Sequence, residues 1–150
     1  MSLSTARKAV DLAIGLTPPG ETLEFAFFGG EPLLRFELLK EVIQYIRSKE
    51  NDIGISVRLS ITTNGTLLTK TVIDLVKSEN IDLCVSMDGP PHIHDRNRCY
   101  ADKRGSAEIV LKNLEIVAEQ LDYFQVNAVY GPDTVSFLPE TVRFFIDLNV

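Results

Sequence analysis

Two spacings of apolar residues alternate along the chain, and together they predict alternating helices and strands. Apolar residues at every third or fourth position predict helices over residues 4–16, 36–46, 72–76, 110–121 and 139–146. Short apolar or alternating runs predict strands over residues 23–28, 55–62, 81–87 and 124–130. Strands that alternate with helices form right-handed βαβ units, so the predicted fold class is α/β with a parallel sheet.

Polar residues occupy one face of each strand after the first. In the second strand, one face takes Ile55, Val57, Leu59 and Ile61, and the other takes Ser56, Arg58, Ser60 and Thr62. Parallel strands covered by helices on both faces are apolar throughout, and these strands are not. We therefore predict that one face meets the helices and that the polar face lines a cavity. The alternative is a sheet whose second face is simply wet.

The composition narrows the class of protein. The chain has 150 residues, of which 45% are hydrophobic and 24% charged, as in one soluble globular domain or part of a larger one. The net charge is −6 and the Lys and Arg residues are scattered, so nucleic acid is not an expected partner. No apolar run approaches the roughly 18 residues needed to span a membrane, so no membrane partner is expected either.

The potential metal ligands are few. Two cysteines, Cys84 and Cys99, exclude a disulfide scaffold and suit a reducing compartment, so we expect a cytoplasmic protein. Two cysteines cannot hold an iron–sulfur cluster or a structural zinc ion without other ligands. His92 and His94 have no third ligand nearby in the sequence and are interpreted as part of a solvated turn. No metal site is therefore predicted.

The candidate chemistry lies in three loops, each of which follows a strand. Ligands of βα folds bind at the carboxyl ends of the strands. In the first loop, Gly29 and Gly30 allow the backbone to approach a ligand closely, and Glu31 can accept a hydrogen bond from an ammonium group. The alternative is a tight turn in which Pro32 starts the next helix. In the second loop, Asn64 is expected at the rim of the same cavity, or in a plain turn.

The third loop is long, polar and charged, which is typical of functional loops. Ser86 precedes it and is predicted to point into the cavity. Arg98 carries a guanidinium group that matches the geometry of a carboxylate. The three loops together predict a small-molecule site at one end of the sheet.

These motifs, in this order, resemble those of the radical S-adenosylmethionine (SAM) superfamily. The matching segments are Phe28-Gly-Gly-Glu-Pro-Leu-Leu34, Thr62-Thr-Asn-Gly-Thr-Leu-Leu68, and Ser86-Met-Asp-Gly-Pro-Pro91 with His94, Asp95 and Arg98. The set is most similar to the branch with C-terminal auxiliary clusters, which includes anaerobic sulfatase-maturating enzymes and peptide maturases.

The resemblance implies a partial (β/α)6 TIM-like barrel, truncated at both ends. Residues 1–150 are then a single partial core domain, residues 1–3 are compatible with a cloning remnant, and a further strand is expected to begin at about residue 150. Gly29, Gly30, Glu31 and Pro32 are expected to receive the SAM amino group. Ser86 and Arg98 are expected to hold its carboxylate, and Asn64 to lie on the nearby wall. The resemblance assigns no residue a catalytic role.

The resemblance also implies an activity for the full-length parent. With SAM and a [4Fe–4S] cluster as cofactors, such an enzyme reductively cleaves SAM to a 5′-deoxyadenosyl radical, which abstracts hydrogen from a protein or peptide substrate. The Cys-x3-Cys-x2-Cys motif that holds the cluster in this family is absent, since Cys84 and Cys99 stand 15 residues apart. We interpret this absence as truncation, so the chain itself is expected to bind no cofactor and to be inactive.

The alternative function is a non-catalytic βα module that binds a small ligand and lacks a cluster.

If the preceding barrel strand is missing, the apolar strand over residues 23–28 is an open edge, and self-association through that edge is expected.

Overall fold

Helices and strands alternate along the whole chain, as the apolar spacings predict. The computed structural model describes residues 1–148, apart from the side chains of residues 51–53, so the strand expected at about residue 150 lies outside the described residues. The helices are α1 (Leu3–Leu16), α2 (Phe36–Ile53), α3 (Lys70–Ser78), α4 (Pro91–His94), α5 (Ala107–Gln120) and α6 (Leu138–Asp147). The strands are β1 (Thr22–Phe27), β2 (Ser56–Thr63), β3 (Ile81–Ser86) and β4 (Gln125–Asn127). One-turn 3₁₀ helices at Pro32–Arg35 and Val135–Phe137 precede α2 and α6.

The strands form a parallel sheet in the order β1-β2-β3-β4, which is also their order in the sequence. Parallel crossovers are right-handed as a rule, and when they all step in one direction across the sheet the connecting helices lie on the same face. This topology is that of consecutive βα units of a barrel, and it confirms the predicted α/β class.

The two faces of β2 differ as the sequence predicts. Val57, Leu59 and Ile61 are buried, and they belong to a core that includes Ile43 of α2 and Ile73 of α3. The opposite face carries polar residues, of which Ser56 and Arg58 are exposed and Ser60 and Thr62 are half-buried. There Arg58 Nη2 lies 3.0 Å from Asp82 Oδ2, and Ser60 donates a 3.3 Å hydrogen bond to Glu24. Burial of one face only leaves the other face available to a ligand or to further chain.

Strand β4 is shorter than predicted. The sequence predicts a strand over residues 124–130, whereas the ladder covers only Gln125–Asn127. The backbone N–H of Val129 donates instead to Asp88 Oδ1, at 2.9 Å. A side chain from the preceding loop thus takes the place of a ladder partner, and β4 ends there.

The interpretation of both histidines as part of a solvated turn is wrong for His94. The loop after β3 contains the short helix α4, and His94 at its end is 0% exposed. Both ring nitrogens have protein partners, Asp88 N–H and Ser106 Oγ, which replace water. His92, in contrast, has a side chain that is 57% exposed.

Helix α1 packs against α2 at the β1 side of the molecule. Ser2 caps α1 by accepting a hydrogen bond from Thr5 N–H, and Ala6 and Val10 are buried. Tyr45 of α2 donates a 2.7 Å hydrogen bond to Asp11. Strand β1 itself pairs on one side only, with β2, so its other edge has no strand beside it among residues 1–148.

Self-association through the open edge of β1 stays a prediction. We expect light scattering to show a mass that rises above the 16.7 kDa of the chain as the concentration increases, because an unpaired strand edge is a template for pairing. Ala26→Lys, which adds a charge to this edge strand, is expected to suppress the rise. Gln44→Lys on the exposed side of α2 adds the same charge and serves as the control. A monodisperse 16.7 kDa species at all concentrations contradicts the prediction.

Candidate functional site

The three loops meet at a cavity at the carboxyl ends of the strands. Its volume is ≈ 260 Å³, and its lining includes Gly29, Gly30, Asn64, Ser86, Arg98 and Asn127. The structure therefore brings together five residues that the sequence singles out from three separate loops. A larger surface depression of ≈ 680 Å³ lies between the beginnings of α1 and α2, away from these residues.

The first loop presents bare backbone to this cavity. Gly29 and Gly30 have φ angles of +99° and +52°, which residues other than glycine rarely adopt. No atom lies within 4 Å of the position that a Cβ would take at either residue. The glycines are thus needed for the backbone conformation, and the space beside them is open.

Glu31 connects the first loop to the second. Its Oε1 accepts hydrogen bonds from Leu33 N–H at 3.0 Å and from Thr63 Oγ1 at 2.8 Å. Its Oε2 accepts a 2.7 Å hydrogen bond from Asn64 N–H. Both oxygens are therefore engaged by the protein. Pro32 begins the 3₁₀ helix, and both Glu31 and Pro32 line a neighbouring cavity of ≈ 290 Å³ on the α1 side of the loop.

Asn64 stands in a turn and also lines the cavity. Its Oδ1 accepts hydrogen bonds from Thr66 N–H at 3.0 Å and from Thr66 Oγ1 at 2.7 Å. These contacts form an Asx turn, which fixes the loop that follows β2. Both interpretations of the second loop, a plain turn and a cavity rim, therefore apply to the same residue.

Asp88 organises the third loop. Its side chain is 6% exposed, and its Oδ2 accepts a 2.8 Å hydrogen bond from Arg98 Nε. Its Oδ1 accepts the Val129 N–H described above. Arg98 makes no side-chain hydrogen bond to the described residues besides that of Nε, so its two terminal nitrogens keep their N–H groups for a ligand. Ser86, 9% exposed, ends β3 in the same cavity.

His94 is fully buried and contacts the backbone of Asp88. Its Nδ1 accepts a 3.2 Å hydrogen bond from Asp88 N–H, and its Nε2 lies 3.0 Å from Ser106 Oγ. Burial lowers the pKa of His94 below its ordinary value, against the opposing effect of the Asp88 and Asp95 carboxylates. The ring is therefore neutral at pH 7, with its proton on Nε2.

Sequence reasoning misses Thr63, Asp88 and Ser106 as parts of the site. Thr63 carries a detectable signal, because it continues the apolar face of Val57, Leu59 and Ile61 with a polar group at the strand end. It is 2% exposed and both accepts from Gly65 N–H and donates to Glu31. Asp88 lies inside the third matching motif with no role assigned to it there, and the sequence gives no comparable signal for Ser106, whose partners are 8 to 12 residues away.

A metal cluster does not fit the described residues. Among residues 1–148, no group of three or more His, Cys, Asp and Glu side chains is placed to hold a metal ion. Cys99 is exposed, and Cys84 is partly buried on the open face of the sheet. Burial raises the pKa of the Cys84 thiol, which disfavours the thiolate that metals bind.

Among the residues that the structure describes, none of the helices combines the length and the apolar character that a membrane span requires.

These features define the class of the protein. The glycine loop and Arg98, whose Nε is held by Asp88, lie at the carboxyl ends of successive parallel strands. This placement is typical of a βα-barrel domain with a small-molecule site. The sequence profile of the radical SAM superfamily matches residues 2–145, and the chain belongs to this superfamily. The resemblance based on the three loops is thereby confirmed.

The relatives with similar sequences include a sulfatase-maturating enzyme and a cyclopropyl synthase. The chain is 32% identical over 122 residues to a cysteine-type anaerobic sulfatase-maturating enzyme of Clostridium novyi, covering 81% of this chain and 32% of that enzyme. It is 30% identical over 129 residues to the radical SAM cyclopropyl synthase TigE of Paramaledivibacter caminithermalis, covering 85% of this chain and 26% of the synthase. The chain thus spans about a third or less of the length of these relatives.

Solved structures show the same fold. Native anSMEcpe with bound AdoMet superposes with a TM-score of 0.89 at 23% identity, covering 99% of this chain and 40% of that one. The complex of anSMEcpe with AdoMet and the Kp18Cys peptide gives a TM-score of 0.90 at 23% identity, with 99% and 41% coverage. The arrangement of βα units is therefore the one found in these structures.

Proposed function

We propose that this chain is the SAM-binding part of a radical SAM core, within an enzyme that cleaves SAM reductively and abstracts hydrogen from a protein or peptide substrate. The observation that carries the proposal is the position of Arg98. Its Nε is held by Asp88, while it lines the same ≈ 260 Å³ cavity as Gly29 and Gly30. When bound, SAM supplies a sulfonium group whose reductive cleavage provides the radical chemistry.

The residues present fit the amino-acid end of SAM. The terminal N–H groups of Arg98 and the Ser86 hydroxyl are donors suited to a carboxylate. The backbone carbonyls of Gly29 and Gly30 are acceptors suited to an ammonium group, and no atom lies within 4 Å of the position that a Cβ would take at either glycine. In this assignment the cavity binds the two charged groups of a free amino acid at opposite sides.

Glu31 then acts mainly by holding the first loop. Its carboxylate already accepts hydrogen bonds from Leu33, Thr63 and Asn64. The position of Gly29 and Gly30 relative to β2 depends on this brace. Pro32 preorganises the turn at its start, because its φ angle is fixed near the helical value. Asn64 lines the same cavity as the glycines.

The cluster ligands are assigned to residues outside this sequence. The residues described do not fit a [4Fe–4S] cluster, and the matched segments are only 32% and 26% of the two relatives. The similarity to sulfatase-maturating enzymes and to a peptide-bound relative supports a protein or peptide as substrate.

Because the chain alone is expected to bind no cofactor, binding of SAM to the full-length parent, numbered as in this chain, tests the proposal. In nuclear magnetic resonance titrations, SAM is expected to shift the backbone amides of Gly29 and Gly30 and the side-chain Nε–H of Arg98. Methylthioadenosine, which lacks the amino-acid end, is the matched control and is expected to leave Arg98 unshifted. Equal shifts with both compounds, or none with SAM, contradict the assignment of the cavity.

Anaerobic reconstitution of the cluster tests whether this chain by itself holds the [4Fe–4S] cofactor. We expect the chain to take up no stoichiometric [4Fe–4S] cluster under anaerobic reconstitution and to release no 5′-deoxyadenosine from SAM. The physical reason is the ligand count, because a cluster of this type is held by thiolates that these residues do not supply. Iron and sulfide assays provide the measurement. A stoichiometric cluster contradicts the prediction.

A further inference from the structure

We propose that His94 is the positioning residue for Arg98, and that the neutral ring holds this arginine through two separate hydrogen-bonded routes. The inference rests on the proposed function, since it concerns the arginine assigned to the SAM carboxylate. His94 belongs to the third motif, yet the assignments above give it no contact with SAM. It lines no wall of the cavity, is 0% exposed and lies four residues before Arg98.

The first route leads to the guanidinium group of Arg98. His94 Nδ1 accepts the N–H of Asp88 at 3.2 Å, which fixes the backbone from which the Asp88 side chain projects. Asp88 Oδ2 then accepts Arg98 Nε at 2.8 Å. Because Nε is occupied, the remaining N–H groups of Arg98 lie at the far end of the guanidinium plane.

The second route leads to the backbone of Arg98. The Nε2–H of His94 donates to Ser106 Oγ at 3.0 Å, and the Ser106 hydroxyl donates to the Arg98 carbonyl at 2.7 Å. In addition, Arg98 N–H donates to the His94 carbonyl at 3.0 Å. One tautomer satisfies both routes, since Nδ1 must accept while Nε2 donates.

Asp95 secures the far side of this arrangement. Its Oδ1 accepts Ser106 N–H at 2.8 Å and Ala107 N–H at 2.9 Å, at the beginning of α5. A Cβ on Gly105 would overlap the Asp95 carboxylate, so the chain is closely packed there. The hydroxyl of Ser106 is thus fixed from both directions, by α5 and by His94.

Protonation of His94 is expected to break the first route. A proton on Nδ1 would face the Asp88 N–H, so that two donors meet. The charged groups around the ring are the Asp88 and Asp95 carboxylates and the Arg98 guanidinium, and burial is the strongest influence on its pKa. Because the unfolded chain titrates near pH 6.5, the contribution of His94 to stability is present above about pH 6.5 and is lost as the pH falls toward its lower folded-state pKa.

The test compares variants that keep one, both or neither of the routes. His94→Phe keeps a ring and removes both nitrogens, and we expect it to weaken SAM binding about tenfold or more. His94→Asn retains an acceptor near Nδ1, and His94→Gln retains a donor near Nε2, so each is expected to restore part of the affinity. Ser106→Ala interrupts only the second route and is expected to have an intermediate effect. His92→Gln, at an exposed position in the same loop, is the matched control.

Two readouts distinguish positioning from general stabilisation. The Arg98 Nε–H resonance is expected to be protected from solvent exchange in the wild type and to lose protection in His94→Phe. The affinity for SAM is expected to decrease in the wild type and in His92→Gln as the pH falls through the lowered folded-state pKa of His94, and this decrease is expected to be absent in His94→Gln. If His94→Phe does not fold, Ser106→Ala and the wild-type pH profile still decide.

The outcomes separate this inference from the proposed function. Unchanged Arg98 protection and unchanged SAM affinity in His94→Phe overturn the role of His94 while the SAM site stands. If the wild type does not bind SAM, the proposed function fails, and the exchange of Arg98 Nε–H in the variants still tests the two routes. A protected Arg98 Nε–H in the wild type that is lost with either route supports the inference.

Discussion

Replacing Gly89 with Ala is expected to lower the free energy of unfolding by about 3 kcal/mol or more, through backbone strain and overpacking together. Gly89 has a φ angle of +126°, and a Cβ there would lie 2.4 Å from Thr141 Oγ1 and 2.9 Å from its Cγ2. Thr141 is 0% exposed on α6, so it has little room to move. Urea denaturation followed by circular dichroism measures the change.

Gly29→Ala is the matched control for this prediction. Gly29 also has a positive φ angle, +99°, but no atom lies within 4 Å of its missing Cβ. We therefore expect only the backbone cost, about 1–2 kcal/mol. The difference between the two variants isolates the packing of the third loop against Thr141. Equal unfolding midpoints and slopes for the two variants contradict the prediction.

The Gly89 position also matters for the site. Thr141 Oγ1 donates a 3.3 Å hydrogen bond to the carbonyl of Asp88, the residue next to Gly89. Displacement of α6 by a methyl group at Gly89 would therefore disturb the residue that holds Arg98. We expect Gly89→Ala to lose SAM binding together with stability, whereas a variant that affects the site alone would lose only binding.

Arg98→Ala in the full-length parent is expected to weaken SAM binding roughly ten- to hundredfold, because a charge-assisted hydrogen bond to a carboxylate is lost. The substitution also removes the cationic partner of Asp88, whose side chain is 6% exposed. An unpaired carboxylate in that position is destabilising in its own right. Calorimetric titration with SAM therefore needs a variant that separates binding from folding.

The double variant Arg98→Ala, Asp88→Asn provides that separation. An amide oxygen at position 88 retains an acceptor for Val129 N–H and carries no charge. We expect the double variant to recover stability relative to Arg98→Ala and to remain deficient in SAM binding. Arg104→Ala removes an exposed arginine from the same loop and is expected to bind SAM normally. A dissociation constant for Arg98→Ala equal to that of the wild type removes Arg98 from the site.

Local patterns are sufficient for much of the fold. The alternation in β2 predicts which side chains are buried, because neighbouring residues of a strand always point to opposite faces. Short local patterns also identify the glycines at positions 29 and 30 and the polar loops after β2 and β3. The extent of β4 is not local, since it ends where the Val129 N–H meets an Asp88 oxygen from 41 residues earlier.

The sequence by itself determines the order of the elements, the apolar face of the strands and the three loops that follow them. The spacing of apolar residues and the residue types of turns are properties of neighbouring residues, so both can be recognised directly in the sequence. Only the tertiary structure decides the connections between the loops. Glu31 meets Asn64 across 33 residues, and Asp88 and Ser106 enclose His94 from opposite directions. Such contacts follow from how parallel strands align their carboxyl ends, which turns separate polar residues into one hydrogen-bonded site.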